Sequence, residues 1–171
     1  FKYPTKVQAA RIPRLLSGKS QSVLAQTGSG KTLAYALPIV ELLKQREDDL
    51  EQDESPVRSP VAWVLCPTIE LGAQVEQVFK SIAHRAKLRV RHAKQGKTQK
   101  QKRASLAGAI DVIVGSPSQL RGALESGELK ADAASFVILD EADLLFEHDF
   151  LPDVQAVMKF LHSPGLQVGL F

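Results

Sequence analysis

The chain has 171 residues, 44% of them apolar and 24% charged, with a net charge of +3. That suffices for one domain with its own hydrophobic core and excludes a disordered or fibrous chain. The single cysteine, Cys66, excludes an internal disulfide framework and fits a reducing compartment; no apolar stretch is long enough to span a membrane as a helix.

In chain order, a helical pattern over Lys6–Leu16 precedes a short apolar strand, Ser22–Ala25, and a second helix, Lys31–Glu47. Glu47–Glu54 carries six acids and ends in two Ser-Pro pairs, which reads as a solvated acidic loop. Strand Val61–Cys66, helix Glu70–Ala86 and strand Leu88–His92 follow. Lys94, Lys97, Lys100, Lys102 and Arg103 then make a basic stretch opening into a helix over Lys97–Leu106. It reads either as a solvated face or as a contact for nucleic-acid phosphates. Strand Asp111–Gly115, helix Pro117–Glu125, strand Phe136–Asp140, helix Asp149–Leu161 and strand Gln167–Phe171 complete the order. Strands rich in Val, Ile and Leu without clean alternation are buried on both faces. Alternating with helices, they predict an α/β fold: a doubly wound parallel sheet with right-handed crossovers, whose ligands sit at the carboxyl ends of the strands. Trp63 and Cys66 fall inside strand patterns and read as core. His84, His92, His148 and His162 lack metal-ligand spacing.

Ala25-Gln26-Thr27-Gly28-Ser29-Gly30-Lys31-Thr32 lies between the first strand and the second helix. This is the strand–glycine loop–helix setting of a phosphate-binding loop, with Ala25 where the strict pattern has Gly. Its glycines let backbone N–H groups converge on phosphates, and the helix start adds its positive dipole end. Lys31 can reach the β- and γ-phosphates, and the Thr32 hydroxyl can ligate Mg²⁺. The loop alone leaves ATPases, GTPases and small-molecule kinases open. Phe136-Val137-Ile138-Leu139 followed by Asp140-Glu141-Ala142-Asp143 narrows the choice. A buried strand delivers two carboxylates at its carboxyl end. Asp140 is placed to hold Mg²⁺ through its waters, and Glu141 points elsewhere, to orient or deprotonate an attacking water. That adjacent acid favours hydrolysis over transfer to an acceptor.

With these motifs the whole chain resembles the first RecA-like, P-loop domain of DEAD-box RNA helicases. Asp140–Asp143 matches the family's naming motif, and Ala25–Thr32 its form of the phosphate loop. The resemblance implies ATP and Mg²⁺ as cofactors, Lys31, Asp140 and Glu141 as catalytic residues, and Gln26–Thr32 around the phosphates. Phe1–Gln8 is similar to the adenine-reading segment, which implies that Phe1, Thr5 and Gln8 face the nucleotide, Gln8 on the adenine edge. Pro67-Thr68-Ile69-Glu70-Leu71-Gly72-Ala73-Gln74 resembles the first RNA-backbone motif; Pro67, Thr68 and Glu70 are its implied contacts. Gly96 occupies the place of a glycine turn along the RNA, and Ser116, Pro117 and Ser118 that of a second backbone-binding turn. Asp143 is implied to couple the two sites.

The departures cluster in the RNA motifs: Ile69 and Gln119 stand where the family has Arg, Gly72 where it has Ala. Ser116 and Ser118 replace Thr and Gly, and Gln95 replaces Gly. RNA binding on this half is therefore expected to be weakened or reshaped, with ATP binding retained. The resemblance also implies sequence-independent RNA contacts, a second RecA-like domain that completes the ATP site, and an intracellular setting, cytoplasmic, nucleolar or mitochondrial. On its own, residues 1–171 are expected to bind nucleotide weakly and hydrolyse it negligibly. Two roles stay open: an RNA-stimulated helicase, and an ATP-gated assembly factor on a ribonucleoprotein or pre-ribosomal particle with little unwinding. A DNA translocase or unrelated P-loop ATPase fits the phosphate motifs but not Phe1–Gln8.

Overall fold

The computed structural model describes residues 3–45, 59–93, 106 and 109–171. The acidic stretch, the basic stretch and all of the Lys97–Leu106 helix but Leu106 lie outside them. The described elements are α1 (Lys6–Leu16), β1 (Gln21–Ser22), α2 (Lys31–Gln45), β2 (Ala62–Leu65), α3 (Ile69–Ala83), β3 (Val90–His92), β4 (Val112–Gly115), α4 (Pro117–Glu125), β5 (Phe136–Leu139), α5 (Ala142–Leu145), α6 (Leu151–Phe160) and β6 (Gln167–Leu170).

The strands form one six-stranded sheet in the order β1-β6-β5-β2-β4-β3, parallel at every pairing. Because successive side chains point to opposite faces, β2 divides between two cores. Ala62 and Val64 pack with Leu15, Tyr35, Ile39 and Phe79 beneath α1, α2 and α3. Trp63 and Leu65 pack with Ile113, Val137, Leu145 and Val157 beneath α4, α5 and α6. Trp63 is wholly buried and its indole N–H donates to the Pro60 carbonyl at 3.0 Å, so the tryptophan is core, as expected.

The departures from the predicted elements are local. The first strand is Gln21–Ser22 rather than Ser22–Ala25. Its ladder ends where the Val23 N–H donates to the Leu170 carbonyl, and the chain then leaves for the phosphate loop with Leu24 fully exposed. The predicted helix Glu70–Ala86 is α3 plus a 3₁₀ turn, His84–Ala86, stopped by Lys87 in the left-handed region at φ +52°. The predicted helix Asp149–Leu161 starts at Leu151, and the four-residue α5 precedes it, too short to leave a periodic signal. Among the described residues no helix is long and apolar enough to cross a membrane.

Candidate nucleotide and RNA site

The phosphate loop leaves β1 and turns into α2. Gly28 and Gly30 take φ of +78° and +87°, a region open to glycine and costly to other residues. A Cβ on Gly30 would lie 2.5 Å from Gln8 Nε2, so the loop and the start of α1 pack at glycine distance. Thr5 and Gln8 form a capping box: the Thr5 hydroxyl accepts from the Gln8 N–H at 3.3 Å, and Gln8 Oε1 accepts from the Thr5 N–H at 3.0 Å. Gln8 Nε2 also donates to the Gly30 carbonyl at 3.3 Å. The glutamine that the resemblance assigns to adenine is thus a strut between α1 and the phosphate loop. The Lys31 ammonium donates to the Ala25 carbonyl at 3.1 Å, folding the lysine across its own loop. Among the described residues the buried Ser29 hydroxyl meets no hydrogen-bond partner. A buried orphan in a glycine cradle is what an anionic ligand would satisfy.

Asp140 caps β5 and is buried. Its Oδ2 accepts from the Tyr35 hydroxyl at 2.7 Å and its Oδ1 from the Glu141 N–H at 3.2 Å. Burial raises the Asp140 pKa above the ordinary carboxylate value, while the Tyr35 donor, the Glu141 amide and the Lys31 charge pull it back down. Burial first, then the Asp140 charge, pushes the Tyr35 phenol well up, so it remains a proton donor. Glu141 is half-buried and takes φ +53°, ψ +53°, in the left-handed region. Asp143 lies exposed in the first turn of α5. Lys31, Ala25, Asp143 and Phe171 line one cleft of about 250 Å³. A larger cavity of about 660 Å³, between α6 and the sheet, is walled by Val154, Met158, Val168 and Leu170 and carries none of this chemistry.

The donor set fits Mg²⁺. The Thr32 hydroxyl and Asp140 carboxylate are hard oxygens few enough to leave the ion most of its waters, and a nearby cation would favour the charged form of a buried carboxylate. Tyr35, which donates to Asp140 from the helix that Thr32 begins, is absent from the sequence-based candidates. Its place three residues after Thr32 was the available signal, since i and i+3 share a helix face.

The RNA candidates form two helix starts at the carboxyl ends of β2 and β4. The exposed Thr68 caps α3, its hydroxyl accepting from the Leu71 N–H at 3.1 Å; Pro67 is buried and Glu70 exposed in the first turn. Ser116 caps α4 in a second capping box. Its hydroxyl accepts from the Gln119 N–H at 3.4 Å, and Gln119 Oε1 accepts from the Ser116 N–H at 3.0 Å. Ser118 is exposed with its hydroxyl 3.3 Å from that of Ser116, and Pro117 is buried. Gln119 therefore replaces an expected arginine with a local cap. Gly72 has a packing cause: a Cβ there would sit 2.7 Å from His92 Nε2, so glycine makes room for the β3 histidine. Its departure belongs to the α3–β3 contact. Phe1 and Gly96, with Gln95, lie outside the described residues.

The sequence profile of the DEAD/DEAH box helicase family matches residues 5–171. The chain belongs to this family. It is 38% identical to DEAD-box ATP-dependent RNA helicase 39 of Arabidopsis thaliana over 97% of this chain and 27% of that protein. With RNA helicase CrhR of Synechocystis it shares 32% identity over 93% of this chain and 30% of the relative. The chain thus spans less than a third of either protein's length. A crystal structure of a hypothetical ATP-dependent RNA helicase from Sulfolobus tokodaii superposes with a TM-score of 0.83 at 33% identity, covering 100% of this chain and 46% of the other. A DEAD box protein from Methanococcus jannaschii gives the same TM-score at 29% identity, over 98% and 43%.

Proposed function

We propose that this domain is the ATP-binding half of an RNA helicase, and that the whole protein couples ATP hydrolysis to binding and locally opening RNA. The observation that carries the reading is the meeting of Lys31 with Ala142 and Asp143 on one cleft at the carboxyl edge of the sheet, beside the buried Asp140 that the Lys31 charge acts on. In this reading the loop amides of Gln26–Thr32 hold the phosphates, and Lys31 exchanges the Ala25 carbonyl for the β- and γ-phosphate oxygens. Thr32 and Asp140 hold Mg²⁺, which when bound supplies positive charge against the phosphate oxygens. Glu141 orients the attacking water and takes its proton. Gln8 spends one donor on Gly30 and one lone pair on Thr5. One N–H and one lone pair are left over, the complement of adenine's N7 acceptor and N6 donor. Thr68, Glu70, Ser116 and Ser118, with Pro67 and Pro117 shaping their turns, face the RNA backbone, and Gly96 is assigned to the same backbone from the family resemblance. Asp143 links the two sites, and a second RecA-like domain supplies the remainder of each.

The deciding experiment is ATP hydrolysis by the full-length protein with and without single-stranded RNA, beside Glu141→Gln. Strong RNA stimulation is expected, with kcat in the variant lower by roughly a hundredfold or more. Hydrolysis that ignores both RNA and the substitution would overturn the reading. The self-contained capping box at Ser116–Gln119 favours a second reading, an ATP-gated clamp or assembly factor on a ribonucleoprotein. ATP-dependent RNA retention without unwinding of a short duplex would select it.

A further inference from the structure

Tyr35 is wholly buried on α2, one turn beyond Thr32. Its ring is walled by Phe79 of α3, with centroids 6.1 Å apart, and by Phe171 after β6, at 5.0 Å edge to face. A ring packed on two sides fixes where its hydroxyl sits. That hydroxyl donates to Asp140 Oδ2 at 2.7 Å, and Thr32 stands one turn back on the same helix. A phenol has one proton to give. With it committed to Asp140, the phenol pins one oxygen of that carboxylate from behind. Phenylalanine would fill the same space without the cost of burying a hydroxyl beside a carboxylate.

We propose that Tyr35 is a positioning residue for the divalent-cation site, a single buried phenol that orients the site's carboxylate donor, Asp140. The proposal rests on the nucleotide-site reading above. It acts through Asp140 and touches neither nucleotide nor ion.

The test uses the full-length protein and a fluorescent ATP analogue, titrated with Mg²⁺ and also measured in EDTA, for wild type and Tyr35→Phe. The Mg²⁺ concentration giving half of the affinity gain should rise roughly tenfold in the variant, the scale on which the supporting shell of a metal site acts. Affinity in EDTA should stay at the wild-type value. A purely packing role would move both quantities together or neither, and either result overturns the proposal. Should Tyr35→Phe fail to fold, Phe79→Leu keeps the hydroxyl but loosens its wall. It should raise the Mg²⁺ midpoint by a smaller factor, and an unchanged midpoint counts against the proposal equally. A wild-type protein that binds the analogue no tighter with Mg²⁺ than in EDTA overturns the nucleotide-site reading and this inference together. A wild type that responds to Mg²⁺, beside an identical Tyr35→Phe, overturns the inference alone.

Discussion

Glu141 takes a backbone conformation that favours glycine, at φ +53°. A side-chain-bearing residue in the left-handed region costs about 1–2 kcal/mol. Here the strained residue sits in the turn between the buried Asp140, held by Tyr35, and the exposed Asp143. Strain of this kind persists where the surroundings over-determine it, and it collects at functional positions. Glu141→Gly and Glu141→Ala both delete the carboxylate, but only glycine relieves the backbone. Glu141→Gly should therefore be more stable than Glu141→Ala by about 1 kcal/mol, with hydrolysis lost in both. Denaturant unfolding of the pair reads this directly, and equal midpoints would mean that the left-handed turn carries no strain.

At the scale of elements, what could be read from the sequence depended on how many residues repeat a signal. Ala62–Leu65, Val112–Gly115 and Phe136–Leu139 are continuous apolar runs, and each appears as a strand inside its predicted bounds. β1 has two ladder residues, and nothing in Val23-Leu24-Ala25 marks where pairing stops, since an apolar Leu24 ends in solvent. The phosphate loop and the Asp140–Asp143 turn were legible because their chemistry is local in the sequence. The Tyr35–Asp140 bond joins residues 105 apart and was not. The capping boxes Thr5…Gln8 and Ser116…Gln119 did leave a readable signature, Ser or Thr followed three residues on by Gln. The Gly72–His92 contact left none, because a helix position and a strand position meet only in the fold. Gly72→Ala should destabilise by about 1–3 kcal/mol through overpacking, and adding His92→Ala should recover part of that loss. Unfolding midpoints of the two singles and the double measure the coupling. Strict additivity would show that His92 does not set the identity of residue 72.

Across the whole molecule, the parallel sheet places the candidate nucleotide and RNA elements along one carboxyl edge. The nucleotide elements follow β1 and β5 and the RNA candidates follow β2 and β4, with β2 hydrogen-bonded to both β4 and β5. The Asp140 turn therefore lies one strand from the start of α3 and two from the start of α4. Those two starts lack the arginines of the family pattern. Ile69 is 41% exposed, so a longer cation there meets solvent or ligand without entering the core. Gln119 is committed to the Ser116 cap, so its replacement trades a local hydrogen bond for a charge. If both positions face RNA phosphates, Ile69→Arg with Gln119→Arg should tighten single-stranded RNA binding by the full-length protein at low salt. The slope of log affinity against log salt should steepen by about 0.7 for each new phosphate contact. The Gln119→Arg change should also cost roughly 1 kcal/mol of stability through the lost cap, which thermal unfolding separates from the binding effect. Tighter binding with an unchanged slope would mean that the arginines act through packing rather than on phosphates. Unchanged affinity and slope would mean that the α3 and α4 starts are not RNA-facing, and the ATP site would then have to be coupled to RNA through another surface.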